Sequence, residues 1–164
     1  MGRPAGMPYD PLMKSILIVV SVLAVAAPAI AKRPGAVEVV SPWSRPAVAG
    51  TNAVGYMVLA NHGRAADALA KVESPIAAHV DMHSSSMAGG VMSMAKEDKV
   101  AVPAGGRTTF GPGAYHLMFM GLTRTLKPGD EAPATLTFAS GAKVKVRFAV
   151  SAGIGPPAAA STAH

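Results

Sequence analysis

Beyond residue 36 the apolar positions fall into short runs or alternate with polar ones, and each run soon meets glycine, proline or asparagine. Such patterns predict strands, because a helix needs apolar positions three and four apart, sustained over about ten residues or more. The predicted strands are Val37–Val40, Gly55–Ala60, Ala68–Glu73, Val80–Ser85, Val91–Ala95, Val100–Val102, Ala114–Met120, Thr135–Ala139 and Lys143–Val150. Pro42-Trp43-Ser44-Arg45-Pro46 reads as a constrained link. Asn61-His62-Gly63, Pro103-Ala104-Gly105-Gly106, Gly111-Pro112-Gly113 and Lys127-Pro128-Gly129-Asp130 read as turns. Short strands at regular spacing predict an all-β antiparallel barrel or sandwich in a single domain.

Two hairpins can be checked for register. Leu136 and Phe138 alternate with threonines, and Val144, Val146, Phe148 and Val150 alternate with Lys143, Lys145 and Arg147. Both apolar sets carry even numbers, so they share a buried face only across a loop of odd length. Ser140-Gly141-Ala142 is the predicted loop. In the hairpin around Gly89-Gly90 an even loop puts odd residues of the first strand with even residues of the second. His83, Met87, Met92 and Met94 then share one surface.

The N-terminus adds an address. Lys14 precedes the apolar run SILIVVSVLAVAAPAIA, which ends in small residues before Lys32. This predicts a secretory signal peptide over residues 1–31, with Met13 a reasonable initiator. The run falls short of the roughly 20 residues that span a bilayer, so the mature chain is expected to have no membrane span. The β domain is expected over 32–152, and the small, polar stretch 153–164 as a disordered tail.

Composition narrows the function classes. The net charge is +6, but the basic residues are scattered and only Lys143, Lys145 and Arg147 cluster. Without interleaved aromatics they read as a solvated strand face, which argues against a nucleic-acid partner. There is no cysteine. That excludes disulfides and a cysteine-linked lipid on these residues, and leaves the packed core to stabilise an exported domain. No nucleophile–base pair or acidic pair stands in a recognisable context, so the chain is not read as an enzyme.

The candidate chemistry lies between His79 and Met120. His116 and Met118 are two apart, so on a strand they leave the same face about 7 Å from each other. His83 and Met94 belong to the methionine-bearing face of the preceding hairpin. Two imidazoles and two thioethers form a soft, uncharged donor set suited to Cu(I), and unsuited to zinc, calcium or magnesium. An imidazole must be deprotonated to ligate, so binding should weaken below histidine's ordinary value of about 6.5. The plainer assignments are core filler for Met57, Met92 and Met120, and surface hydrogen bonding for His62, His79 and His164.

The spacing His83-x10-Met94-x21-His116-x-Met118 resembles the motif of the periplasmic PCu(A)C copper chaperones. Trp43, Arg45, Gly55-Tyr56, Asn61, Asp67, Leu69, Pro103-Ala104-Gly105-Gly106, Tyr115-His116-Leu117-Met118, Gly121-Leu122, Gly129-Asp130 and Leu136-Thr137-Phe138 agree with that family. Ala114 departs from it, standing where a second glycine is usual, and the tail lacks a His/Met-rich extension. The resemblance implies a cupredoxin-like β barrel and one Cu(I) per chain on His83, Met94, His116 and Met118. It also implies a periplasmic monomer that delivers copper to a Sco-like thiol protein or to subunit II of a haem–copper oxidase. Two alternatives stay open: a copper buffer for tolerance, and a structural β module without metal.

Overall fold

The computed structural model describes residues 36–156, together with Gly2. The signal-peptide reading over 1–31 and most of the expected tail lie outside the described residues. Ten strands form: β1 (Val37–Ser44), β2 (Ala53–Asn61), β3 (Asp67–Glu73), β4 (Ala77–Ala88), β5 (Val91–Glu97), β6 (Val100–Val102), β7 (Arg107–Phe110), β8 (Tyr115–Leu122), β9 (Glu131–Phe138) and β10 (Lys143–Val150). They make one sheet in the order β5-β4-β8-β7-β2-β1-β10-β9-β3-β6, with a further β8–β2 pairing. The fold is all-β and cupredoxin-like. Its ladders are antiparallel except for β1–β10 and the single β7–β8 bridge.

All nine predicted strands are present, a tenth, β7, joins them, and the predicted link after Val40 is corrected. Pro42-Trp43-Ser44 is not a link but the second half of β1. Ser41 takes φ 48° and the register shifts between Val40 and Trp43, so the strand bends at a bulge and resumes pairing. β7 went unpredicted because Arg-Thr-Thr-Phe ends in its sole apolar residue. It forms because Thr108 and Phe110 turn inward while β2 supplies a full ladder.

Parity decided the hairpins. Val144 pairs with Leu136 and Val146 with Ala134, so the even-numbered apolar residues share the core face. The loop is odd but one residue earlier than predicted. Phe138 donates its N–H to the Ala142 carbonyl around Ala139-Ser140-Gly141, and Gly141 takes φ 82°. The exposed Lys143, Lys145 and Arg147 do form a solvated face, where Arg147 pairs with Glu131 at 2.9 Å.

One apolar cluster fills the interior, with contributions from every strand except β5. Leu117 and Phe119 of β8 are fully buried in it, and Met82 of β4 is nearly so. Their alternation with His116, Met118 and His83 puts those three on the opposite face of the sheet. The core therefore fixes the direction of the candidate donors from behind. β5, all but one of its residues exposed, is an edge strand tethered through β4.

Candidate metal centre

The site is built on three neighbouring strands. β4 and β8 pair with His83 opposite His116, Asp81 opposite Met118 and His79 opposite Met120. β4 and β5 pair with His83 opposite Lys96, Ser85 opposite Met94 and Met87 opposite Met92. Directly paired residues share a face, so His83, Met94, His116 and Met118 all lie on one side of the sheet.

They are not equally close. The two imidazoles occupy one rung, with ring centroids 5.7 Å apart and planes 25° from parallel. Met118 is next to His116 along β8. Met94 sits one rung the other way, on the far flank of β4, and is 64% exposed. In a flat sheet two strand spacings and four residues separate Met94 from Met118, about 16 Å between Cβ atoms. The structure thus brings together His83, His116 and Met118. Met94 can join them only if the β4–β5 hairpin curls over the face.

Burial makes the histidines unusual. His116 is 7% exposed, and its Nδ1 lies 3.4 Å from the Ala114 carbonyl. With Nδ1 protonated towards that carbonyl, Nε2 keeps a free lone pair. His83 Nδ1 is buried and has no hydrogen-bond partner. An unsatisfied buried polar atom costs about 1–3 kcal/mol, so it calls for an occupant. A metal bound through an imidazole nitrogen at this rung is such an occupant, and the residues present fit one. Among the described residues no three His, Cys, Asp or Glu side chains gather into a cage. A metal at the imidazole pair would therefore complete its shell from thioethers.

Asp81, the carboxylate opposite Met118, is already engaged. Lys96 reaches Asp81 at 2.8 Å, and the His79 ring lies 3.6 Å away. The hydrogen bond from Lys96 holds the Asp81 carboxyl below its ordinary value, against the opposing effect of desolvation. The same contact raises Lys96.

The remaining histidines and methionines sort by surroundings. Met57 is core, as expected, but Met92 is 58% exposed and is no core filler. It sits near the tip of an edge hairpin, with no layer above it. Met120 is half-buried. His62 bonds Glu38 at 2.8 Å on the surface, and His164 lies outside the described residues.

The family model "Putative lipoprotein LpqE-like" matches residues 37–150. The chain belongs to the LpqE-like family. A curated relative, "Putative lipoprotein Lxx21020" from Leifsonia xyli subsp. xyli, is 28% identical over 141 residues, covering 83% of this chain and 84% of the relative. Among solved structures, the copper-bound PCuAC domain from PmoF2 is similar at a TM-score of 0.62 and 29% identity, covering 73% of this chain and 96% of that one. The solution structure of CuI-DR1885 from Deinococcus radiodurans is similar at 0.52 and 27%, covering 73% and 82%. The relatives are named lipoproteins, whereas the 164 residues of this LpqE-like chain hold no cysteine to carry a lipid.

Residues that carried the family resemblance have visible structural work. Trp43 and Tyr56 pair across β1 and β2 with rings 4.6 Å apart. Asn61 donates to the Val102 and Ala65 carbonyls and accepts from the Gly63 N–H, tying the turn after β2 to β6. Asp67 accepts from the Ser140 N–H and hydroxyl, pinning the β9–β10 loop to β3. Ala114 strains nothing. Among the described residues Ser41 alone has positive φ without being glycine, and Gly113, at φ 78°, makes the sharp turn before His116.

Proposed function

We propose that this protein binds one Cu(I) ion as cargo at the His83–His116 rung and passes it on in the cell envelope without catalysing a reaction. The observation that carries this reading is the buried, unpartnered Nδ1 of His83 across from the buried His116 imidazole, with Met118 adjoining. Neutral imidazole and thioether donors leave the metal's charge uncompensated, which favours the monovalent ion and allows its release. Met94 closes the coordination shell when the β4–β5 hairpin curls. The likeness to copper-bound PCuAC domains supports the ion. The lipoprotein names of the relatives support an exported, periplasmic setting. A Sco-like thiol protein or subunit II of a haem–copper oxidase is the proposed recipient, and the carrier works as a monomer.

Titration of the apo protein with Cu(I) against a chromophoric chelator tests the reading. One equivalent should be withdrawn from the chelator. A protein that withdraws none is not a copper carrier.

The Asp81–Lys96 pair predicts how the site selects its ion. Lys96 keeps a hard carboxylate occupied on the donor face. Lys96→Leu, which removes the ammonium without adding a sulfur opposite His83, should free Asp81 and raise Zn(II) or Cu(II) affinity relative to Cu(I), measured by parallel titrations. Unchanged selectivity would mean that the ion pair plays no part in discrimination.

A further inference from the structure

The tip of the β4–β5 hairpin carries an arrangement that the His83–His116 rung does not use. Met87 and Met92 are direct cross-strand partners, and Met94 lies two residues from Met92 on the same face. The three are 66%, 58% and 64% exposed. Opposed residues have Cβ atoms about 5 Å apart, and residues two apart on a strand about 7 Å. Each side chain has three rotatable bonds beyond the backbone. Three thioether sulfurs can therefore close on a single ion.

The local scaffold favours this. Gly89 and Gly90 take φ 59° and 80°, the paired left-handed conformations of a two-residue turn that locks Ala88 opposite Val91. The register is therefore fixed up to the tip. On the reverse face Ser86 and Ser93 are hydrogen-bonded to each other at 2.9 Å. On the methionine face the nearest charged side chain is Lys96, held by Asp81. No core residue comes from β5, so packing does not account for these methionines.

We infer that Met87, Met92 and Met94 form a second, all-thioether station for a soft monovalent ion, sharing Met94 with the imidazole rung. The ion's identity as Cu(I) rests on the proposed function, while the station rests on the hairpin geometry. Curling of the hairpin carries Met94 from one set of partners to the other. The shared thioether thus links an exposed loading point to the imidazole rung.

The test uses Ag(I), a redox-inert soft cation, added to the apo full-length chain and followed by NMR of methionine methyls and histidine rings. The Met87 and Met92 methyls should shift saturably within two equivalents. Met87→Leu with Met92→Leu keeps the apolar surface, removes both sulfurs and should abolish the second binding event while leaving the histidine response. In His83→Ala with His116→Ala the shifts of Met87 and Met92 should persist. Methyls that stay put through two equivalents, or a double-leucine variant that still takes the second ion, overturn the station. Silent histidine rings with responsive methyls in the wild type would sink the proposed function and leave the station standing.

Discussion

His116→Ala should lower Cu(I) affinity by more than about 100-fold. Losing a partner that merely orients a metal ligand typically costs 10–100-fold, so removing a ligand exceeds that range. His116 is buried on a strand whose other face is anchored by Leu117 and Phe119. The variant should keep its far-UV circular dichroism, and the loss then reports coordination rather than unfolding. His62→Ala is the control, because His62 bonds Glu38 on the exposed surface away from β4 and β8. Competition against a chromophoric Cu(I) chelator separates the outcomes. If His116→Ala holds the ion as tightly as the wild type, the imidazole rung is not the copper site.

Much of this arrangement was legible because strand periodicity is strict. Once β4, β5 and β8 were assigned, parity placed His83 with Met94 and His116 with Met118, whatever the exact ends of the strands, while the β4–β8 register put both pairs on one face. Distance along the strands was not legible. A pattern with period two says which face a residue joins but not which rung. For that reason the separation of Met94 from Met118 emerged only with the register of Ser85 opposite Met94 and Asp81 opposite Met118. Edge position was equally hidden. Met92 reads like a core methionine until β5 is seen to have no neighbour beyond it. The Asp81–Lys96 pair also escaped, since its partners are 15 residues apart and meet only through hairpin register.

Phe119→Ala should destabilise the fold by about 3–5 kcal/mol, the range for emptying a buried aromatic site. Phe119 is fully buried, and its ring meets Phe148 edge-on with centroids 5.5 Å apart. Gly55 completes the fit: a Cβ there would lie 2.7 Å from the Phe119 ring and 3.4 Å from that of Phe148. That contact explains why a strand interior carries glycine despite its entropic cost. Gly55→Ala should therefore cost about 1–3 kcal/mol as overpacking. In a Phe119→Leu background, where the ring edge is gone, it should cost clearly less. Urea unfolding of the two single variants and the double variant gives the coupling directly. Additivity within about 0.5 kcal/mol would show that the ring does not dictate glycine at position 55. A large coupling would place the support of the His116–Met118 strand in the Gly55–Phe119–Phe148 contact beneath it.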